Sequence, residues 1–214
     1  MIRNKLTDDR GQVGIGTLIV FIALVLVAAI AAGVLINTAG FLQTQAEQTG
    51  EDSSSQVANN INVIGEVGDV NTTGNNNIEL ARLTVQRSPG SDDVDLSELS
   101  IQYVGDNGFA NYVYAGENNP DNAYHVTAIT ASSSGDAVMT DDSDRYQILI
   151  PFTTGASDVE DVLGNTNINV SGVDGNLGTG EEAEIQITTA DRATRNAFIQ
   201  VPDTIEDGTT SVTL

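Results

Sequence analysis

The sequence predicts an α+β protein in which one long N-terminal hydrophobic helix precedes an all-β domain. Two observations predict this fold class. No charged residue occurs from Gly11 to Ala46, and this stretch contains the apolar run 15–36. After residue 56, short apolar runs alternate with segments rich in Gly, Asn, Asp and Ser, a pattern that is typical of a β-sandwich or barrel.

The first element, residues 1–11, is a basic leader in front of the apolar run. Its last basic residue is Arg10, and the next one along the chain is Arg82. This bias predicts a cytoplasmic N-terminus and an external β domain. A secretory signal is cut after its apolar region. Here no A-x-A-type site clearly closes that region, and the small residue Gly11 stands before it.

The second element, residues 12–50, is the hydrophobic helix. Its central run is apolar on every side, so it can enter a membrane but presents no solvent face. A bilayer core needs only about 20 residues, whereas a continuous helix over Gly14–Gln48 would be roughly 50 Å long. Part of the helix must therefore leave the bilayer or lie among other helices. Recurrent Gly and Ala would let such helices approach closely.

The polar segment 51–56 (EDSSSQ) is predicted to be a linker, and residues 57–214 form the β domain. Short runs of strand character fill this domain, and turn signals such as NTTGNNN and DGNLGTG separate them. Alternating polar and apolar residues indicate strands with one buried face. The expected strands are 61–67, 78–86, 96–104, 124–130, 145–152, 183–190, 196–201 and 211–214.

The formal net charge of −22 excludes some partners. A surface this acidic repels nucleic acid and anionic lipid head groups. It also favours a saline habitat, because concentrated salt screens the self-repulsion of a highly charged fold. The chain has no cysteine, which excludes disulfides, thiolate metal sites and cysteine nucleophiles.

Residues that could support catalysis are sparse, and we expect neither an enzyme nor a cofactor. His125 is the only histidine and stands in a predicted strand, where a structural or surface role is expected. Phosphate-binding glycine loops, zinc spacings and G-x-S-x-G turns are absent from the sequence. Asp92, Asp93 and Asp95 are weak candidates for binding a hard cation, and a solvated acidic loop is the favoured interpretation.

Two N-x-[ST] triplets, at Asn71 (NTT) and Asn169 (NVS), are candidate N-glycosylation sites. Both stand in polar, turn-like sequence, as acceptor sites require. Such triplets also arise by chance in a chain rich in Asn, Ser and Thr, so both interpretations stay open.

The stretch from Arg10 to Ala46 resembles the N-terminal signature of archaeal flagellins (archaellins). GIGTLIVFIA, residues 14–23, is its most diagnostic part. Residues 95–105 (DLSELSIQYVG) and 182–203 (EAEIQITTADRATRNAFIQVPD) also resemble the globular domain of this family, more loosely. The resemblance covers the whole chain and is strongest over its first quarter.

The resemblance implies that a membrane-embedded peptidase of the prepilin type removes a class III leader. The cut is expected between Gly11 and Gln12, with Arg10 and Gly14 as recognition residues. Asp8 and Asp9 are a mild departure from the usual basic leader.

The resemblance further implies that the mature helix leaves the membrane and polymerises with other copies. An immunoglobulin-like β-sandwich would then face outward. The side chains expected in the filament core are those of Ile15, Leu18, Phe21, Leu24, Ala28, Ala32, Leu35 and Leu42.

The resemblance implies that this chain binds other copies of itself in a helical homopolymer, or other archaellins in a co-polymer. Its other implied partners are the leader peptidase and the archaellum's membrane assembly and motor machinery. The precursor would insert transiently into the cytoplasmic membrane, and the product would be an extracellular filament of a halophilic archaeon.

Two other functions also fit the residues. An archaeal adhesive pilin shares the leader, the core helix and the peptidase, although GIGTLIVFIA favours the archaellin. A single-pass surface protein, whose acidic domain binds a ligand or cation, would keep its first ten residues. An exported enzyme would need a catalytic constellation that the sequence lacks.

Overall fold

The computed structural model divides the chain into two compact units, Met1–Glu51 and Asp52–Leu214. For residues 5–10 only the backbone path is described. The residues that the structure describes are 5–71, 76–116, 120–131, 135–154, 169–173 and 175–214.

Helix α1 spans Lys5–Ala58, 54 residues. Alanine and leucine favour helix throughout its centre, and proline is absent before residue 89. Gly33 and Gly40 do not interrupt it. The helix ends at Ala58, and the N–H of the next residue, Asn59, still donates to the Ser55 carbonyl at 2.7 Å.

The predicted linker at 51–56 was wrong, because this segment is helical. Its polar residues include neither glycine nor proline, so nothing in the segment prevents the backbone ladder from continuing. Contacts further along the chain also hold its end in place. The Gln56 amide donates to the Arg192 carbonyl at 3.2 Å, and the Asn59 amide donates to the Asp191 carboxylate at 2.8 Å.

After the helix, the regular structure that is described consists of β-strands, which agrees with the predicted β domain. In chain order they are β1 (Ile61–Val70), β2 (Ile78–Arg87), β3 (Val94–Asp95), β4 (Ser100–Gly105), β5 (Gly108–Tyr114), β6 (Ala123–Thr130), β7 (Val138–Met139), β8 (Arg145–Pro151), β9 (Glu182–Thr188), β10 (Thr194–Gln200) and β11 (Ser211–Thr213).

The main strands form two antiparallel groups that join at one seam. The first group has the order β10-β9-β4-β5, and the second has the order β6-β8-β2-β1-β11. A short parallel pairing of β5 with β6 joins them, at Val113 with Ala123 and Tyr114 with Tyr124. Strands β3 and β7 pair separately.

The inner faces of both groups contribute to one hydrophobic core. Strand β9 alternates between buried and less buried residues, with Ile185 and Ile187 fully inside. The Tyr112 hydroxyl on β5 donates to the Pro151 carbonyl on β8 at 2.7 Å, which links the two groups. Beside it, the rings of Tyr103 and Phe152 lie 5.0 Å apart. The predicted fold class, a long apolar helix followed by an all-β immunoglobulin-like sandwich, is confirmed.

Candidate assembly surface

The first part of α1 exposes its apolar side chains on every side. All residues from 11 to 50 are exposed, including Phe21 at 65% and Leu35 at 69%. Consecutive helical residues are rotated by about 100°, so the run 18–22 alone covers the whole circumference. The segment from Gly11 is long and apolar enough to cross a membrane.

The uncharged stretch of this helix is longer than a membrane requires. From Gly11 to Ala46 it extends for about 54 Å at a rise of about 1.5 Å per residue, against about 30 Å for a bilayer core. The expected filament-core residues, from Ile15 to Leu42, all lie within it. They are exposed like their neighbours, so the single chain does not distinguish them from other residues of the helix.

Two threonine hydroxyls on this surface bond to the backbone of their own helix. The Thr17 hydroxyl donates to the Gly14 carbonyl at 2.9 Å, and the Thr44 hydroxyl donates to the Gly40 carbonyl at 3.1 Å. These bonds satisfy the hydroxyl donors without any outside partner. The surface can therefore enter lipid or pack against other helices without leaving these groups unsatisfied.

The glycines of α1 have no role in packing within the single chain. A Cβ atom added at Gly14, Gly16, Gly33 or Gly40 would meet nothing within 4 Å. Each glycine costs about 1 kcal/mol of helix stability relative to alanine. Their benefit must therefore come from contacts outside the single chain, such as close approach between helices.

The expected cleavage point lies within the helix. Gly11, Gln12 and Gly14 are exposed, and the backbone of Arg10 is helical. The exposed side chains around this bond leave it accessible on the helix surface. Cleavage between Gly11 and Gln12 stays a prediction.

The two candidate glycosylation sites differ in their surroundings. The Asn71 amide donates to the carboxylate of Glu79, which is only 5% exposed, and the two threonines of this triplet lie outside the described residues. Asn169 is exposed, and its amide donates to Asp121 at 2.6 Å. Asn169 is therefore the more accessible site, and glycosylation at both sites stays a prediction.

The three weak cation candidates make different contacts, through the backbone at Asp92 and through the carboxylates at Asp93 and Asp95. The Asp92 N–H donates to the Asn59 side chain at 2.9 Å, and Asp93 lies 3.6 Å from the Arg87 guanidinium. The Asp95 carboxylate accepts two bonds from Ser97. Within the described ranges, no three acidic, histidine or cysteine side chains come together as metal ligands.

His125 lies on β6 and pairs with Leu149 of β8. Burial lowers the pKa of its imidazole, because the charged form loses hydration. Its Nε2 atom is buried without a hydrogen-bond partner among the described residues. The residue is half-buried, and no hydrogen bond or ion pair joins it to a nucleophile or carboxylate of the described chain.

An all-round apolar helix that exceeds one bilayer, attached to an acidic β-sandwich, defines a filament subunit of the pilin-like class. The sequence model of the archaeal-type flagellin family matches residues 11–213. Flagellin B1 of Halobacterium salinarum is 39% identical over 200 residues, which cover 94% of this chain and 93% of that protein. Flagellin A2 of Haloferax volcanii is 39% identical over 216 residues and covers 94% of each chain. The chain belongs to the archaeal-type flagellin family, and it is a structural subunit of an archaeal flagellum filament.

Two solved structures share the fold. The archaeal flagellum of Methanospirillum hungatei has a TM-score of 0.62 at 14% identity, over 93% of this chain and 99% of that chain. Flagellin FlaB1 of Methanocaldococcus jannaschii has a TM-score of 0.53 at 16% identity, over 73% of this chain and 96% of that chain. The first match is long enough to include both the helix and the sandwich, so this combination recurs at low sequence identity.

Proposed function

We propose that the chain polymerises through residues 12–50 of α1, which pack into the core of the filament while the β-sandwich faces outward. The observation that carries this proposal is the exposed, uncharged surface from Gly11 to Ala46. In a single soluble chain this surface would face water. Packing copies of the helix together removes it from water in every subunit.

Transfer from lipid to a helical core explains why the stretch lacks charge. Moving the helix from one apolar surrounding to another leaves the burial free energy nearly unchanged. Assembly can then be driven by packing and by the motor machinery. A carboxylate in the middle of the stretch would cost about 3 kcal/mol even in a membrane helix, and this cost would recur in every subunit.

The leader, the membrane stage and the outer location belong to the same proposal. A prepilin-type peptidase removes residues 1–11 from a precursor whose N-terminus is in the cytoplasm. The small residue Gly11, which stands directly after Arg10 and before the apolar run, supports this removal. The product is then assembled outside the cell. The adhesion-pilin and anchored-protein alternatives predict different locations or different motility.

Ala28→Asp tests the core-helix proposal. Ala28 lies midway along the uncharged stretch, and a carboxylate there would stand unpaired between apolar helices. We expect cells producing only this variant to have no filaments in electron micrographs and to lose swimming. An immunoblot of the membrane fraction shows that the variant chain is made.

Ala28→Ser is the matched control, because a serine hydroxyl can bond to the backbone of its own helix. This variant should form filaments in near-normal number. Normal filaments from Ala28→Asp would contradict the proposal. Swimming cells that adhere poorly after deletion of the protein would favour the pilin alternative instead.

A further inference from the structure

The outer face of the β10-β9-β4-β5 group carries a row of exposed apolar side chains. Phe198 on β10 pairs with Glu184 on β9, Glu184 pairs with Val104 on β4, and Val104 pairs with Phe109 on β5. Phe198 is 69% exposed, and Val104 and Phe109 are each 49% exposed. A single sheet thus presents three large apolar groups to its surroundings in one lateral row.

This row borders a groove of about 440 Å³, which we call the β4 groove and which Val104, Asp106, Glu182, Glu184 and Phe198 line. Its rim is acidic, and each carboxylate already has one bond within the sheet. Glu184 accepts the Asn196 amide at 2.7 Å, and Glu182 accepts the Gln200 amide at 2.9 Å. Both carboxylates keep an oxygen for another donor. The groove therefore suits a cation that also presents apolar surface.

Arginine has both properties, because its guanidinium pairs with carboxylates and stacks on aromatic rings. The β domain contains five arginines. Arg82 and Arg87 form ion pairs with aspartates. Arg145 donates to two loop carbonyls, and Arg195 donates to the Asn62 side chain.

Arg192 differs from the other four arginines. Its guanidinium is exposed and has no hydrogen bond or ion pair with any residue that the structure describes. It stands in the turn between β9 and β10, with a positive φ of 65°. Its N–H donates to the Thr189 carbonyl, and its own carbonyl accepts the Gln56 amide. These backbone bonds fix the turn, so only the side chain itself loses conformational freedom when it binds.

We propose that the β4 groove of one subunit binds the Arg192 side chain of a second copy in the filament. This inference rests on the proposed function, which brings the copies together. The groove and Arg192 lie at opposite ends of β9. Joining two different surfaces makes a heterologous contact, which continues from copy to copy and generates an open helical assembly.

The size of the face limits where this contact can form. Four strands spaced about 4.8 Å apart and seven residues long cover roughly 450 Å². A stable interface between free proteins buries about 800 Å² on each partner. The contact is therefore too small to join free subunits. It forms where the helices already hold copies at high effective concentration.

Paired cysteines test this contact, because the natural chain has no cysteine. The double variant Arg192→Cys/Glu184→Cys is assembled into filaments and treated with a short bismaleimide cross-linker, because an arginine bound to a carboxylate keeps the two Cα atoms farther apart than about 7 Å, the limit for a disulfide. We expect a ladder of covalent oligomers beyond the dimer on a denaturing gel. A cross-link within one chain would leave a monomer on this gel, and residue 192 lies beyond residue 188, which is already about 14 Å from residue 184 along β9.

The two single-cysteine variants are the matched controls and should stay monomeric on the gel. Filaments of the double variant without a ladder would overturn the inference and leave the proposed function intact. Dimers from Arg192→Cys alone would also overturn it, because they would show a symmetric contact. Absence of filaments from the natural chain would reject the proposed function itself.

Charge exchange provides a second measurement if the double cysteine variant does not assemble. Arg192→Glu and Glu184→Arg should each increase the release of subunits from sheared filaments by about 1.4- to fivefold, the range for an exposed ion pair. Combining them should restore release toward the natural value. A combined variant that releases subunits as readily as the single ones would contradict the contact.

Discussion

At the scale of single residues, we expect the bond between Gly11 and Gln12 to separate a leader from the filament subunit. Keeping the leader would leave Arg10 and its charged neighbours at the end of an apolar helix that must pack among copies. Burying such charges without partners costs several kcal/mol. Edman sequencing of sheared filaments should therefore give a chain that begins at Gln12. A chain that begins at Met1 would support the anchored surface protein.

Blocking the cut provides the matched control for this prediction. Gly11→Val replaces the small residue before the bond, whereas Gly16→Ala changes a glycine beyond it. Both positions have free space around a Cβ atom in the single chain. The first variant should accumulate as uncut precursor in membranes, and the second should be processed normally. Equal processing of both variants would mean that Gly11 does not direct the cut.

Single residues also show where sequence reasoning stops. The triplets at Asn71 and Asn169 are identical signals, yet one amide bonds to a buried carboxylate and the other lies at the surface. Nothing in the sequence distinguishes Arg192 from the other four arginines. They differ from it in having hydrogen-bond or ion-pair partners for their side chains. Such partners are brought together by the fold from distant parts of the chain.

At the scale of elements, the glycines of α1 indicate close contact between helices. Gly33→Ala should stabilise the isolated helix in detergent by about 1 kcal/mol, which circular dichroism can measure on heating. The same methyl group should weaken filaments, because it separates helices that approach at glycine. We expect Gly33→Ala filaments to dissociate at a lower temperature than natural ones. A more stable isolated helix together with less stable filaments would show that contact between helices, and not helix propensity, accounts for the glycine.

Gly50→Ala is the control, since Gly50 also has free space around it but stands beyond the uncharged stretch. This variant should strengthen the helix and leave the thermal dissociation of filaments unchanged. If Gly33→Ala filaments were as stable as those of Gly50→Ala, the glycine at position 33 would not lie at a helix contact.

The elements were predictable where local pattern determines them. The uncharged run specified the helix, and alternation specified strands such as β9. Strand β5 was not predicted, although the turn Asp106-Asn107-Gly108 before it is a strong hairpin signal. The end of α1 was placed too early, because polar residues were read as a break. Strand order was not predictable, since it depends on pairings between residues far apart in sequence.

At the scale of the whole molecule, the net charge of −22 opposes assembly and salt removes that opposition. The helical core is uncharged, so the repulsion acts between sandwiches. The Debye length, beyond which exposed charges hardly repel each other, is about 3 Å at 1 M salt and about 30 Å at 0.01 M. We therefore expect the fraction of subunits that sediment as filaments to fall as NaCl is diluted. Dilution into sucrose of equal osmolality controls for osmotic effects.

The direction of this salt effect depends on which of two opposing electrostatic interactions is larger. The inferred contact of Arg192 with the β4 groove would strengthen at low salt, but an exposed pair contributes only about 0.2–1 kcal/mol. Repulsion between whole acidic domains acts on every neighbour and involves many charges. Dilution should therefore dissociate natural filaments. A variant that removes two charges, Glu182→Gln/Glu184→Gln, should dissociate only slightly less than natural filaments do. At 0.01 M NaCl the Debye length is about 30 Å. Filaments that persist unchanged at this concentration would show that packing of α1 outweighs the repulsion.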